Sequence, residues 1–419
     1  MPLQRVQSCA AAALLALNLG AVPHHDPQRM ASARIVASAL PYLPGSDIPL
    51  RIEGLEPPYV LQVVGAGSID QGLLRIPLLP PSPSATVIAS APSALAMHTF
   101  TFAHPPDPKR AMIAVAAYDS GVVIHDATAP FTARAVFGAG SPSDVAFDNT
   151  GRLAAGDTAG DTLQIAGLDP WSVANFSGVP FVDELAFDDS GDLFASDRDS
   201  NGSGALTRIA PDGTITRRAL GLTSEGVAID SRRHRVYVAN VNDGTISIVD
   251  ARTMTERARF HAIDRVFSLA LSGDGARLYA VSNQSVGSPF SAPGRVVAFD
   301  VRGAKAHVAA QSAPLSFPVG IAVDDAHGRV FVTDERDDTV SVLDASTLRS
   351  QHRPLPTCRT PWKPTLDPQG QRLYVPCAQA DEVDVFDLPS LQRAHGAPFK
   401  TGGYPLAVAV WHPDHHVVR

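Results

Sequence analysis

Four carboxylates recur at equivalent places in successive copies of a short apolar segment. The copies read PSDVAFD, VDELAFD and SEGVAID, and the carboxylates are Asp144, Asp183, Glu184 and Glu225. Oxygen ligands of this kind suit a hard divalent cation such as Ca²⁺ or Mg²⁺. Carboxylates gathered without a cation would raise one another's pKa values. The pattern predicts a divalent-metal site, and a solvated acidic rim is the alternative interpretation.

The remaining copies of the segment carry apolar side chains at the same place, together with one lysine. These residues are Phe267, Val319, Trp362, Lys363 and Leu406. Binding pockets commonly join an apolar wall to a few polar groups. The apolar set is therefore predicted to hold the uncharged part of a ligand beside the acidic set.

Common sequence motifs of hydrolases, zinc proteases and nucleotide-binding proteins are absent from the sequence. It contains no G-x-S-x-G, H-E-x-x-H or G-x-x-x-x-G-K-[ST] motif, and no G-x-G-x-x-G after a strand. DRDSNG (197–202) has the spacing of a calcium loop but lacks its closing carboxylate, which favours a solvated hairpin tip. The net charge is −8 and Lys and Arg form no run, so nucleic acid is not an expected partner.

The repeated segment belongs to a longer unit. After PVGIAVD (318–324) come a turn, the strand RVFVTD, an Asp-rich turn and a third strand, SVLD. Similar units recur about every 40 to 50 residues, which is the range of one four-stranded propeller blade. The chain from residue 110 begins without the first segment, and YPLAVAV (404–410) supplies one without a second strand. We therefore expect seven blades, closed by the C-terminal strand.

The unit at 318–344 resembles the YVTN/NHL class of β-propeller repeats, and RVYVAN (235–240) is close to its eponymous motif. The resemblance covers roughly residues 108–411 and implies an all-β, seven-bladed propeller. Members include exported proteins of unknown activity, lactonases, antibiotic-inactivating lyases and subunits of redox enzymes. The chain is also distantly similar to gluconolactonase-like propellers, which hold a divalent metal with Glu, Asn and Asp. Glu225 matches that pattern and Asp183 is a second candidate ligand, but no matching Asn is present.

The chain before the repeats has two parts. Residues 1–22 carry one cation and then an apolar run, which predicts a secretory signal peptide; a buried N-terminal helix is the alternative. Residues 31–105 alternate like strands between Pro- and Gly-rich breaks. They are predicted to form a small immunoglobulin-like β-sandwich, and an additional set of propeller strands is the alternative. No other stretch is long and apolar enough to span a membrane.

Cysteine usage agrees with export. Removal of a signal peptide would leave Cys358 and Cys377, an even number that permits one disulfide in an oxidising compartment. Cys358 precedes the first strand of the last repeat and Cys377 ends its second strand, so both lie at one rim of the same predicted blade. A Cys358–Cys377 disulfide and a periplasmic or secreted location are therefore expected.

The functional prediction is an exported propeller that acts as a binding or scaffold protein. It would engage a protein partner or a small ligand at the central mouth, where the first strands of the repeats begin. The alternative is a divalent-metal-dependent lactonase or lyase, so whether a reaction is catalysed stays open. Fold alone does not select between these functions.

Overall fold

The computed structural model describes residues 33–37, 42–55, 57–77, 84–91, 94–101, 107, 109–138, 140–168, 171–283, 293–367, 369 and 371–413. Over these ranges the chain is almost entirely antiparallel β-structure, with 3-10 turns at Ser231–Arg233 and Ala378–Ala380. No helix in these ranges has the length and apolar character needed to cross a membrane. The predicted signal peptide lies outside the described residues.

Two antiparallel sheets form the N-terminal region. Their strands are β1 (Arg34–Ala37), β2 (Asp47–Glu53), β3 (Val60–Gly65), β4 (Ser68–Asp70), β5 (Leu73–Arg75), β6 (Ser84–Ala91) and β7 (Ala94–Thr101). The strand orders are β1-β2-β5-β4 and β3-β6-β7. Leu74, Val87 and Phe100 are fully buried in one apolar cluster that both sheets share. The region contacts the rest of the chain where the Val136 amide donates to the Pro44 carbonyl oxygen.

Seven further antiparallel sheets follow within the described residues 112–411. Sheet 1 has β8 (Met112–Ala117), β9 (Gly121–Asp126) and β10 (Ala133–Phe137); sheet 2 has β11 (Pro142–Phe147), β12 (Leu153–Asp157), β13 (Thr162–Leu168) and β14 (Trp171–Ser177). Sheet 3 has β15 (Leu185–Phe187), β16 (Leu193–Arg198), β17 (Ser203–Ile209) and β18 (Ile215–Leu222); sheet 4 has β19 (Ser224–Asp230), β20 (Arg235–Asn240), β21 (Thr245–Asp250) and β22 (Glu256–His261).

The remaining sheets repeat this meander. Sheet 5 has β23 (Val266–Leu271), β24 (Arg277–Ser282), β25 (Arg295–Asp300) and β26 (His307–Gln311); sheet 6 has β27 (Pro318–Asp324), β28 (Arg329–Asp334), β29 (Thr339–Asp344) and β30 (Leu355–Pro356). Sheet 7 has β31 (Thr365–Leu366), β32 (Arg372–Cys377), β33 (Glu382–Asp387), β34 (Gln392–Arg393) and β35 (Phe399–Lys400). Within each sheet, neighbours in sequence pair antiparallel, except that β34 and β35 both pair with β33.

Aspartates end the third strands and fix the turns that follow. Asp250 accepts hydrogen bonds from the amides of Arg252 and Thr253 at 3.0 and 2.8 Å. Asp344 accepts from Ser346 and Thr347 in the same way, at 3.0 and 2.8 Å. An aspartate carboxylate that bonds backbone two or three residues ahead stabilises a tight turn. The recurrent Asp in the sequence thus directs the chain from each third strand into the fourth.

The C-terminal strand β36 (Pro405–Trp411) completes sheet 1. It pairs antiparallel with β8, with Val408 opposite Val115 and Trp411 opposite Met112. The expected closure, in which the end of the chain supplies the missing first strand, is confirmed. We call β36, β11, β15, β19, β23, β27 and β31 the inner strands, because each contacts the inner strand of the next sheet and β31 contacts β36.

Buried apolar clusters join each sheet to the next. Tyr237 of sheet 4 and Leu278 of sheet 5 belong to one such cluster. Val383 of sheet 7 and Ile113 of sheet 1 belong to another, so the last sheet packs on the first. One blade cannot bury both of its own faces, and stacking of neighbours supplies the missing contacts.

Candidate functional site

A cavity of about 270 Å³ lies where the inner strands begin. The structure brings together around it the residue at the equivalent position of all seven repeats. These residues are Ser143, Asp183, Glu225, Phe267, Val319, Trp362 and Leu406. Thr158, Glu184, Arg198, Ser268 and Lys363 complete the lining. Asp144 does not line the cavity itself; it is 2 % exposed and bonds to Lys363.

Irregular pairing at the start of the inner strands aims these side chains into the cavity. In β11 the register shifts between Pro142 and Asp144, which leaves Ser143 without a partner on β12. Corresponding shifts leave Phe267, Val319 and Leu406 unpaired in β23, β27 and β36. A β-bulge turns the extra residue away from the regular alternation of the strand. The bulges therefore convert residues of a buried strand into residues of a pocket wall.

Lys363 forms ion pairs with two buried carboxylates from sheets 2 and 3. Its Nζ lies 2.7 Å from Asp144 Oδ2 and 3.4 Å from Glu184 Oε1. Asp144 also accepts from the Leu185 amide at 2.8 Å, and Glu184 accepts from the Val227 amide at 2.7 Å. Each carboxylate thus ties its own sheet to the inner strand of the next sheet.

Burial and the neighbouring charges shift the pKa values of Glu184 and Lys363. Burial raises the pKa of Glu184 to about 7, although the ammonium of Lys363 acts in the opposite direction. Burial disfavours the charged form of Lys363, but Asp144 and Glu184 outweigh it and raise the pKa of Lys363 above its ordinary value. Lys363 therefore stays cationic at every physiological pH.

Asp183 and Arg198 form a second ion pair at the cavity wall. Asp183 also accepts a long hydrogen bond from the Thr158 hydroxyl, at 3.4 Å. Burial raises the pKa of Asp183 to about 6, and the attraction of Arg198 only partly offsets it. Sequence analysis identified Lys363 but missed Arg198, the second cation of the cavity, because Arg198 ends β16 and does not lie on an inner strand.

Glu225 differs from the other carboxylates. It has no hydrogen bond or ion pair with any described residue. Burial raises the pKa of Glu225 to about 8, and the charges of Asp183 and Glu184 act in the same direction. Arg198 and Arg265 act against them. The side chain is half-buried and borders the cavity, so it is available to a ligand.

The opposite wall is apolar. The rings of Phe267 and Trp362 meet edge to face, with centroids 6.1 Å apart and an interplanar angle of 62°. Val319 and Leu406 continue this wall and are 2 % and 8 % exposed. Ser268, 2 % exposed, lies beside the rings, and its hydroxyl has no hydrogen-bond partner among the described residues. The same holds for the indole N–H of Trp362.

The ion pairs of these carboxylates indicate how well they suit the predicted metal ion. Within the described part of the chain, no three His, Cys, Asp or Glu side chains are arranged to hold a metal ion. Lys363 supplies the positive charge between Asp144 and Glu184, and Arg198 supplies it beside Asp183. The donors therefore fit a divalent ion poorly, and the metal site at Asp144, Asp183, Glu184 and Glu225 stays a prediction.

A larger cavity, of about 880 Å³, lies at the other end of the inner strands. Carboxylates that line it are bonded to groups within their own turns. Asp188 accepts from the amides of Ser190 and Asp192, and Asp230 pairs with Arg233. Asp199 of the 197–202 turn likewise accepts from the amides of Asn201 and Ser203. Neither place offers the mixture of apolar wall and free polar groups that the smaller cavity has.

Comparison with known proteins identifies the fold. No protein-family model matches the sequence, and no curated protein matches it. Among solved structures, a 6-phosphogluconolactonase-like protein of Bacteroides uniformis is 13 % identical, with a TM-score of 0.59 over 72 % of this chain and 100 % of that one. Virginiamycin B lyase of Staphylococcus aureus is 13 % identical, with a TM-score of 0.50 over 62 % and 84 %. Hydrazine synthase of Kuenenia stuttgartiensis is 16 % identical, with a TM-score of 0.52 over 64 % and 89 %.

These likenesses show a β-propeller fold and nothing about activity, because identity is low throughout. The lactonase-like and lyase neighbours were anticipated by the repeat resemblance, but the YVTN/NHL repeat class itself is not established by them. Function on this fold has to be argued from the cavity.

Proposed function

We propose that this chain is an exported, seven-bladed β-propeller protein that binds a small ligand at its central mouth. The observation that carries the proposal is the cavity of about 270 Å³, lined by one equivalent residue from each of the seven repeats. One side of it is apolar and the other is charged. A concave site with an apolar wall and a few convergent polar groups is the usual form of a ligand pocket.

Several features support the wider proposal. The succession of apolar clusters around the seven sheets supports a ring of seven blades. The two N-terminal sheets with a shared core support a small β-sandwich. The Cys358–Cys377 disulfide, with Cα atoms 5.7 Å apart, supports export, because such bonds persist in oxidising compartments.

A catalytic alternative rests on Glu225. A carboxyl whose pKa is raised to about 8 in a cleft is a candidate general acid or base. The metal-dependent lactonase or lyase predicted from the resemblance needs Ca²⁺ or Mg²⁺, which the paired carboxylates fit poorly. Elemental analysis decides this alternative: one divalent ion per chain, lost in Glu225→Gln, would support it.

Filling the cavity tests the binding proposal. A chemically mixed library of small amines, alcohols and acids is screened for compounds that raise the melting temperature or change the fluorescence of Trp362. Val319→Trp should abolish the responses, because the larger ring occupies the cavity. Val308→Trp is the matched control, since Val308 is 58 % exposed on β26. Hits that survive Val319→Trp as well as the control would contradict a mouth site.

A further inference from the structure

The charged wall of the cavity carries one negative charge too many when all its groups are ionised. Asp183, Glu184 and Glu225 line this wall, and a fourth carboxylate, Asp144, does not line it but bonds to Lys363. Three cations face them: Lys363, Arg198 and Arg265. Lys363 and Arg198 are already bonded to the three carboxylates other than Glu225. Arg265 acts on Glu225 only through space, so Glu225 is the carboxylate whose charge no bonded cation offsets.

Glu225 is also the carboxylate without a bonded partner among the described residues. Ser268 of β23 lines the same cavity, and its buried hydroxyl likewise has no partner among the described residues and can accept a hydrogen bond. A buried polar group without a partner is costly, and a ligand that bonds it recovers that cost. Glu225 and Ser268 together thus present two acceptors to whatever enters the cavity.

The aromatic wall completes the chemistry. Trp362 and Phe267 border the same cavity, and cations are attracted to the faces of such rings, most strongly to Trp. A bare metal ion would leave this apolar wall uncovered. An anion would meet Asp183 and Glu184. A monocation with an apolar body satisfies both walls.

We propose that the mouth selects a small organic ammonium ion with an apolar body, whose N–H groups bond Glu225 and Ser268 and whose hydrocarbon part lies on Phe267 and Trp362. This rests on the proposed function and specifies its ligand class. It differs from the metal alternative, since no divalent ion takes part.

Three probes of one shape but different charge test the proposal: benzylammonium, benzyl alcohol and benzoate. Affinities are measured by calorimetry on the full chain at pH 8. Benzylammonium should bind at least about tenfold more tightly than benzyl alcohol, the effect expected of one charge-assisted hydrogen bond. Benzoate should bind most weakly. Glu225→Gln should remove most of the affinity difference between benzylammonium and benzyl alcohol, because only the ammonium gains a charge-assisted bond from the carboxylate.

Glu256→Gln is the control, because it removes the same charge on the outer strand β22, where Glu256 pairs with Arg259. Should Glu225→Gln fold poorly, Glu225→Met is measured in its place. Equal affinity for the three probes, lost in Val319→Trp, would overturn the ammonium inference and leave the mouth site standing. Binding of no probe, or binding unaffected by Val319→Trp, would overturn both.

Discussion

Lys363 links parts of the chain that are far apart in sequence. It belongs to the last repeat, yet its ammonium bonds Asp144 of sheet 2 and Glu184 of sheet 3 across the mouth. Asp144 and Glu184 in turn accept backbone amides of the neighbouring inner strands. The network therefore holds the charged wall in a fixed shape before any ligand arrives, and the lysine is its common partner.

Lys363→Met should be strongly destabilising. It leaves Asp144 and Glu184 buried without a cation, and breaking a buried pair in this way costs about 3–5 kcal/mol. Lys400→Met is the matched control: Lys400 is 73 % exposed and pairs with Glu382, so a loss below about 1 kcal/mol is expected. Chemical denaturation of both variants gives the comparison. Equal midpoints would mean that the Lys363 network contributes nothing to the fold.

The mouth carboxyls should make the protein less stable as pH rises. Burial raises the pKa of Glu225 from 4.5 to about 8, so the folded chain keeps a proton that the unfolded chain releases. Stability is then lost between about pH 4.5 and pH 8. Glu184 and Asp183 shift in the same direction. Melting temperatures measured from pH 5 to pH 8.5 should fall.

Glu225→Gln should reduce that fall, by on the order of 2 °C for a domain of this size. Glu256→Gln is the control, because Arg259 lowers the pKa of Glu256 despite partial burial, so this group does not titrate in the same window. An identical slope in wild type and Glu225→Gln would contradict the raised pKa.

The inner strands show which features of the site could be predicted from sequence patterns and which could not. Repeat alignment placed Ser143, Phe267, Val319 and Leu406 at one equivalent position, and the structure brings them to one cavity. The bulges that expose them could not be predicted, because a bulge depends on register with the second strand, which alternation of apolar residues does not specify.

Long-range pairing was the other part that sequence reasoning could not supply. The pairing of Lys363 with Asp144 and Glu184 joins residues far apart in the chain, and Arg198 lies on a second strand outside the aligned position. Ion pairs of this kind are set by the packing of whole sheets. The residue types at the mouth were therefore predictable, whereas their partners were not.

Strand β36 provides the test at the scale of one element. Deleting residues 404–419 removes the partner of β8 and exposes its unpaired amides and carbonyls, which favours aggregation. A truncation after residue 413, which keeps β36, is the matched control. Light scattering and thermal melts should show aggregation or a large loss of stability for the longer deletion alone. Equal melting of the longer deletion and the full chain would contradict this role of the pairing.

At the scale of the whole molecule, each sheet depends on two neighbours, and sheet 7 depends on sheet 1 through the cluster that includes Val383 and Ile113. Sheet 7 is the least regular, since β31, β34 and β35 have two residues each. It is also the sheet that carries the disulfide. A covalent link there strengthens the member of the ring with the shortest strands.

The Cys358–Cys377 bond should contribute about 3 kcal/mol, because it closes a loop of about 20 residues in the unfolded chain. Cys358→Ser with Cys377→Ser should lower stability by that amount. Dithiothreitol should lower the stability of wild type and leave the double variant unchanged. Two free thiols in denatured, oxidised wild-type protein would contradict the bond.

We expect the position of this disulfide to affect when the mouth is able to bind a ligand. Cys358 begins the short segment that carries Trp362 and Lys363, and the disulfide joins it to Cys377 at the end of β32. The segment also pairs with β32 through the bridge between Pro361 and Cys377, and the Trp362 amide donates to the Pro376 carbonyl oxygen. In a reducing compartment the segment would lose its covalent attachment, and the aromatic and cationic groups of the mouth would be less firmly placed. If the chain is exported and binds a ligand as proposed, we expect the reduced chain to bind that ligand more weakly than the oxidised chain, so that disulfide formation would precede recognition.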